Sequence, residues 1–207
     1  MMSQCSLAIL DYGAGNLLSV ENALNYLGVN NYIAKVPKDL MNCSGVIIPG
    51  VGAFDDAMSN LESRGFVSAL NEIVFERPIL GICLGMQLFC NGSEEGVRSG
   101  LGWIDTQVKS LGKHNPNLKV PNMGWNEVNH NSTQLFEGIE SGTDFYFVHS
   151  FAVEEFNGDA QLSMSSHGTE FVSAIEYKNV FAVQFHPEKS QDHGLHLLNN
   201  FAKVCHG

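Results

Sequence analysis

The sequence predicts an α/β fold: an open, mostly parallel, twisted sheet with helices on both faces and antiparallel strands added to it. Three observations carry this. Apolar strand-like runs alternate with helical patterns through the first half of the chain. Two of those runs, "GVIIPG" and "PILGI", have no polar side chain at all, as strands covered on both faces require. In the second half the pattern changes to short strand-like runs separated by turn signals. No repeat, low-complexity tract or linker interrupts the 207 residues, so one domain is expected over residues 1–207.

The elements follow in order. "SLAILDY" (6–12) is an apolar strand. "NLLSVENALNYLG" (16–28) places Leu17, Val20, Leu24 and Leu27 on one helical face, with Gly28 as the stop. "NYIAKV" (31–36) and "GVIIPG" (45–50) are strands. "FDDAMSNLESRG" (54–65) and "FVSALNEIVFE" (66–76) read as helices, "PILGI" (78–82) as a buried strand, and a helix is expected from Leu84. Then come the strand-like runs "LGWIDTQVKSL" (101–111), "GWNEVNH" (124–130), "DFYFVHSFAV" (144–153), "AQLSMSSHG" (160–168), "EFVSAIEY" (170–177) and "NVFAVQFHP" (179–187). A hairpin turn is expected at Lys178-Asn179, and "GLHLLNNFAKVC" (194–205) closes the chain as a helix.

Composition narrows the function. Hydrophobic residues make up 44% and charged residues 16%, which suits a soluble globular enzyme. Eleven basic against 22 acidic residues give a net charge of −11, which disfavours nucleic acid and anionic membranes as partners. No apolar run has the length of a membrane-spanning helix, and no basic region precedes the first apolar stretch, so a cytoplasmic chain without a signal peptide is expected. The five cysteines are odd in number and form no CxxC pair, which argues against a disulfide framework and a cysteine-rich zinc site.

The chemistry centres on Gly81-Ile82-Cys83-Leu84-Gly85. Between a strand and a helix, this pattern matches the nucleophile elbow G-x-S-x-G with sulfur in place of oxygen. Flanking glycines remove side chains that would collide in so sharp a turn. A helix starting after Cys83 would favour thiolate, and the Leu84 N–H would face a developing oxyanion. The five residues alone fit a buried core thiol equally well. A thiolate needs a base and something to orient it. His186 ends an alternating apolar strand, and Glu188 follows two residues on, after Pro187. Taken alone, a strand-ending histidine beside a solvated glutamate is the simpler reading of that segment. Gly50-Val51-Gly52, after another apolar strand, can turn a backbone N–H toward a ligand and complete an oxyanion hole with Leu84. Without a P-loop lysine or a dinucleotide fingerprint, nucleotide binding there is disfavoured.

Together the motifs resemble the class I, triad-type glutamine amidotransferases. "DYGAGN" (11–16), "PGVGAF" (49–54), "GICLGMQLF" (81–89), "SEEG" (93–96), "GLGW" (100–103), "MGWNEV" (123–128), "YFVHSF" (146–151) and "QFHPEKS" (184–190) run in the order of one family, the glutaminase subunit of imidazole glycerol phosphate synthase. The resemblance implies Cys83 as nucleophile, His186 as general base and acid, and Glu188 as the residue that orients it. It implies an oxyanion hole at Val51, Gly52 and Leu84, and glutamine-holding positions at Gly50, Gly52, Gln87 and Glu95, with backbone contacts from His149 and Ser150. It implies glutamine as substrate, no metal or organic cofactor, and ammonia passed to a heterodimer partner, a (β/α)8 cyclase subunit. That cyclase would form imidazole glycerol phosphate and an aminoimidazole carboxamide ribotide in histidine biosynthesis. Tyr12, Asn16, Met123, Trp125 and Asn126 fall in motifs that the family places near the cyclase. The glycine and asparagine beside Trp125 favour a loop there, where an exposed tryptophan suits an interface.

Two positions depart from the family pattern: Asn122 stands where histidine is usual, and Phe151 where tyrosine is usual. Asn122 bears on the partner, because related amidotransferases also supply ammonia for sugar amidation in surface-polysaccharide pathways. A stand-alone cysteine hydrolase and a non-enzymatic binding protein on the same fold are the lower alternatives. The intact Cys83, His186 and Glu188 disfavour the second of these.

Overall fold

The structure, a computed structural model, describes residues 6–113, 117–156 and 158–206. The segment read for a leader, with Cys5, lies outside the described residues. In chain order the elements are β1 (Leu7–Leu10), α1 (Leu17–Tyr26), β2 (Asn31–Ala34), β3 (Gly45–Gly50), α2 (Phe54–Ser63), α3 (Phe66–Ile73), β4 (Ile79–Cys83) and α4 (Leu84–Leu88). There follow β5 (Cys90–Ser93), β6 (Ile104–Ser110), β7 (Asn122–Val128), β8 (Thr143–His149), β9 (Phe151–Val153), β10 (Gln161–Ser166), β11 (Glu170–Tyr177), β12 (Val180–Val183) and α5 (Gln191–His206).

The large sheet runs β2-β1-β3-β4-β12-β11-β9-β6-β5, with β10 paired to β11. Its β2-to-β12 half is parallel throughout, and the antiparallel pairs gather around β11 and β9. Strand periodicity splits the core in two. On β1, Ala8 and Leu10 join one cluster with Phe54, Met58 and Leu61 of α2 and Phe66 and Leu70 of α3. Leu7 and Ile9 point the other way, into a cluster with Val20 and Leu24 of α1 and Leu197, Leu198 and Phe201 of α5. The same alternation recurs on β12, with Val180 and Ala182 on one face and Phe181 and Val183 on the other. The parallel strands are therefore apolar throughout because each face meets its own helix pair.

Two expectations are corrected, and the helix expected from Leu84 is present but short: it stops at Leu88, and β5 begins at Cys90. The carbonyls of Leu88, Phe89 and Cys90 accept from Leu101, Trp103 and Gly102 instead of continuing a helical ladder. "DFYFVHSFAV" is not one strand: it breaks at Ser150, so that β8 pairs with β7 in a separate two-stranded sheet and β9 joins the large one. Trp125 lies on β7 rather than in a loop, paired with Tyr146 of β8. The glycine and asparagine beside it are held in the strand by that pairing and by the Asn126 side chain, which donates to the Ser166 carbonyl of β10. The turn at Lys178-Asn179 is present, with Lys178 at φ 53°. Among the described residues no helix is long and apolar enough to cross a membrane.

Candidate active site

Three neighbouring parallel strands end at one place. Gly50, the last residue of β3, is in register with Cys83, the last of β4, and β12 flanks β4 on its other side. The loop after β3, the thiol after β4 and the histidine after β12 are thus delivered to adjacent carboxyl ends, where open α/β sheets bind ligands.

Cys83 sits at φ 55°, ψ −107°, a conformation that costs a non-glycine residue on the order of 1–3 kcal/mol. The glycines around it are required by close approach. A Cβ on Gly85 would lie 1.9 Å from the Ile48 carbonyl oxygen, and one on Gly81 would lie 2.6 Å from the Phe89 ring. A Cβ on Gly50 would lie 2.7 Å from the Tyr12 hydroxyl and 2.8 Å from Leu84. The turn therefore packs against β3 with no room for a side chain on either flank. The Cys83 thiol lies 3.7 Å from the Val148 carbonyl, to which it donates, and accepts from Gln184 Nε2 at 3.6 Å.

His186 is fixed from both sides. Its N–H donates to the Tyr146 carbonyl at 2.8 Å, and its carbonyl accepts from the Ser190 hydroxyl at 2.7 Å. Ring Nδ1 lies 2.8 Å from Glu188 Oε1, and both side chains are almost fully buried. Burial alone would lower the imidazole pKa, but the Cys83 thiol and the Glu188 carboxylate outweigh it and raise it to about 9. With Nδ1 taken, Nε2 is the nitrogen left for the thiol. It is buried and makes no hydrogen bond of regular geometry, the looser arrangement often seen before substrate binds. The shift favours the protonated ring, and a cation beside a thiol favours the nucleophilic thiolate. The other buried thiols differ: burial pushes Cys90 to about 12, and it pushes Cys43 up even though Arg77 Nη1 donates to that sulfur at 3.8 Å.

A cleft of about 350 Å³ opens over the thiol. Of the expected site residues, Cys83, Leu84, Val51 and Gly52 line it, as do Gln87, Glu95, His149 and Ser150. Gly50, His186 and Glu188 lie outside the lining. Gly52 has φ 105° with open space around it, and Val51 is exposed. Glu95 Oε2 accepts the Phe54 N–H at 2.9 Å, at the start of α2, where a helix favours negative charge. That bond ties "SEEG" to the loop after Gly52.

The expected interface residues divide. Met123 and Trp125 are exposed on β7, at 63% and 45%. Asn126 is half-buried and donates to the Ser166 carbonyl at 2.9 Å; Asn16, at the start of α1, is half-buried and donates to the Ser19 hydroxyl at 2.6 Å. Tyr12 is a correction: it is fully buried and so offers no surface to a partner. Its hydroxyl donates to the Pro49 carbonyl at 3.0 Å, directly under the loop, and burial followed by the Cys83 charge raises its pKa. The departure Asn122 is also buried, with Nδ2 3.1 Å from His149 Nε2. Sequence reasoning missed Gln184, Val148 and Pro121 at the site. Only Gln184 carried a signal, as a polar residue closing an apolar strand two positions before the histidine.

Comparison with known proteins agrees with this geometry. Residues 8–205 match the family model "Glutamine amidotransferase class-I". The chain is 48% identical to imidazole glycerol phosphate synthase subunit HisH 1 of Campylobacter jejuni subsp. jejuni serotype O:23/36 (strain 81-176), over 96% of this chain and 100% of that one. It is 46% identical to the HisH subunit of Moorella thermoacetica (strain ATCC 39073 / JCM 9320), over 96% and 94% of the two chains. Its fold is similar to that of PurLQS from Thermotoga maritima, with a TM-score of 0.75 and 16% identity over 97% and 99% of the two chains. With a thiol on a strained turn, a buried imidazole–carboxylate pair and relatives this close over nearly their whole length, the chain belongs to the class-I glutamine amidotransferases, among the HisH subunits of imidazole glycerol phosphate synthase.

Proposed function

We propose that this chain is the glutaminase subunit of imidazole glycerol phosphate synthase, a single cytoplasmic amidotransferase domain. It hydrolyses glutamine to glutamate and ammonia and passes the ammonia to a (β/α)8 cyclase subunit. The observation that carries this reading is the convergence of β3, β4 and β12 on one cleft, bringing the 50–52 loop, Cys83 and the His186–Glu188 pair together.

The chemistry follows from that arrangement. The Cys83 thiolate attacks the side-chain carbonyl carbon of glutamine, and the carbonyl oxygen takes up the negative charge. The Leu84 N–H and an N–H of the Val51–Gly52 segment stabilise it. His186, protonated at neutral pH, gives its Nε2 proton to the nitrogen as the C–N bond breaks and ammonia leaves. A water then attacks the glutamyl thioester. His186 takes one of its protons, and the C–S bond breaks to return thiolate and release glutamate. Glu188 holds Nδ1–H and stabilises the imidazolium in both halves. Glu95, whose side chain lines the edge of the cleft, suits the α-ammonium group of glutamine.

Met123 and Trp125 give β7 an exposed apolar face suited to a protein partner. The test is glutamate release by the chain alone, with a histidine-pathway cyclase, and with that cyclase plus its nucleotide-derived ligand. Strong stimulation in the third condition is expected. Stimulation only by a sugar-modifying partner would keep the chemistry and move the chain to the surface-polysaccharide role. No glutamate release in any condition would refute the glutaminase reading.

A further inference from the structure

We propose that Gln184 is a positioning residue for the Cys83 thiolate, held in place by a buried hydrogen-bond relay that begins at Asn122 on β7. This rests on the reading of Cys83 as nucleophile. The relay is continuous. Asn122 Nδ2 lies 3.1 Å from His149 Nε2, and His149 Nδ1 lies 2.9 Å from the Phe151 carbonyl oxygen. The same oxygen accepts from Gln87 Nε2 at 2.9 Å, and that nitrogen also donates to Gln184 Oε1 at 3.0 Å. Gln184 Nε2 completes the path to the sulfur at 3.6 Å. Asn122, His149, Gln87 and Gln184 are all buried, Gln184 completely.

One atom sets the direction of the whole chain. The Phe151 carbonyl can only accept, and its two lone pairs serve two donors. Gln87 must therefore present its amide nitrogen to it. The second hydrogen of that nitrogen then requires Gln184 to present oxygen, which turns the Gln184 NH2 toward the sulfur. Reversing the Gln184 amide would set two NH2 groups against each other in a buried site, an arrangement that leaves donors unmade. On the other arm, His149 must carry its proton on Nδ1. Burial holds its pKa down at about 4, so the neutral ring offers a lone pair at Nε2, and Asn122 must donate to it. Every member is then satisfied in one sense only.

An N–H aimed at sulfur makes a stronger hydrogen bond to thiolate than to thiol, so it both fixes the rotamer and stabilises the nucleophilic form. Two of these residues, Gln87 and His149, also line the cleft, so the relay joins the glutamine site to β7, whose next residue, Met123, is exposed. The other titratable groups around the sulfur are His186 with Glu188 after β12 and Tyr12 after β1; His149 and Glu95 line the same cleft.

The test uses the full chain and needs no glutamine for its first readout. The rate of Cys83 alkylation by iodoacetamide is followed against pH in the parent, Gln184→Met and Gln184→Glu proteins. Gln184→Met, which keeps the bulk and loses the donor, should move the profile up by roughly one pH unit, the effect of a single charge-assisted hydrogen bond. Gln184→Glu, which presents an acceptor to the sulfur, should move it further. Cyclase-stimulated glutamine turnover should lose about tenfold in kcat in Gln184→Met with KM little changed. Superimposable alkylation profiles would overturn the proposal and leave the glutaminase reading intact, whereas an unreactive Cys83 in the parent would refute both. A second measurement needs no substitution at 184. In protein carrying 15N-glutamine, the Gln184 side-chain resonances should shift when Cys83 is alkylated, and their invariance would also overturn the proposal.

Discussion

At the scale of single residues, the sulfur of Cys83 and the ring of His186 carry the sharpest expectations. Cys83→Ala should abolish glutamine hydrolysis while keeping the thermal unfolding midpoint close to the parent's, because alanine removes one small atom from a half-open cleft. The loss in rate should be about a thousandfold or more, as when a triad nucleophile is removed. Ammonia-dependent turnover by the partner should survive, since free ammonia bypasses this chain. His186 supplies a pH signature. Its folded pKa is raised to about 9, above an ordinary 6.5, so the stability it contributes is complete below about 6.5 and fades as pH rises through 9. Activity should fall over the same alkaline limb, as the proton needed by the departing ammonia is lost from the Cys83–His186 pair. Glu188→Gln keeps a partner for Nδ1 but removes the charge, so both alkaline limbs should shift to lower pH. Urea unfolding and glutamate release measured across pH 6 to about 10 check both statements. Unmoved limbs in Glu188→Gln would show that the carboxylate does not support the imidazolium.

At the scale of elements, the glycines on either side of Val51 behave differently. Gly50 is pinned: any side chain there would strike Tyr12 and Leu84. Gly52 is free of neighbours and holds φ 105°. The segment that can rotate is therefore the Val51–Gly52 peptide, not both sides of Val51. Gly52→Pro cannot adopt that φ and has no N–H to donate, so it should cost stimulated activity about a hundred- to thousandfold, with some loss of stability from the forced backbone change. Gly85→Ala should act on stability directly. It forces a Cβ against the Ile48 carbonyl at 1.9 Å and should destabilise by at least the ~1–3 kcal/mol of an overpacked core, read by urea denaturation. This division also explains what was legible in the sequence. Elbow, loop and histidine each close an apolar strand; each local pattern left a bland reading open, their joint order along the chain decided between the readings, and parallel pairing makes them neighbours. Val148 and the burial of Tyr12 were not announced, and Gln184 only by its polarity at the end of an apolar run. They depend on which residues face the sulfur across 65 or more positions, a matter of sheet order rather than local pattern. The early end of α4 was hidden for the same reason, because the residues that capture its carbonyls lie beyond β5. Trp125 misled because glycine and asparagine signal loops, yet pairing with β8 overrode them.

At the scale of the whole molecule, the cleft and the exposed β7 face lie along one continuous path. Pro121 and His149 line the cleft, and Met123 and Trp125 stand on the outside of the ribbon that β7 forms with β8. A partner seated on that ribbon would bear on the walls of the glutamine site without touching the thiol. Replacing both Met123 and Trp125 with alanine should weaken cyclase association by about a hundredfold or more, while free chain and parent unfold alike. Titration calorimetry with the cyclase checks this. The most direct measurement is capture of the intermediate. The chain is mixed with a histidine-pathway cyclase, the cyclase's ligand and glutamine, quenched in acid during turnover, digested, and its cysteine peptides weighed. The peptide holding Cys83 should be heavier by one glutamyl group, and the adduct should vanish in Cys83→Ala. Glutamate released with no adduct on Cys83, or with the adduct on Cys43 or Cys90, would contradict the assignment of this turn as the seat of catalysis.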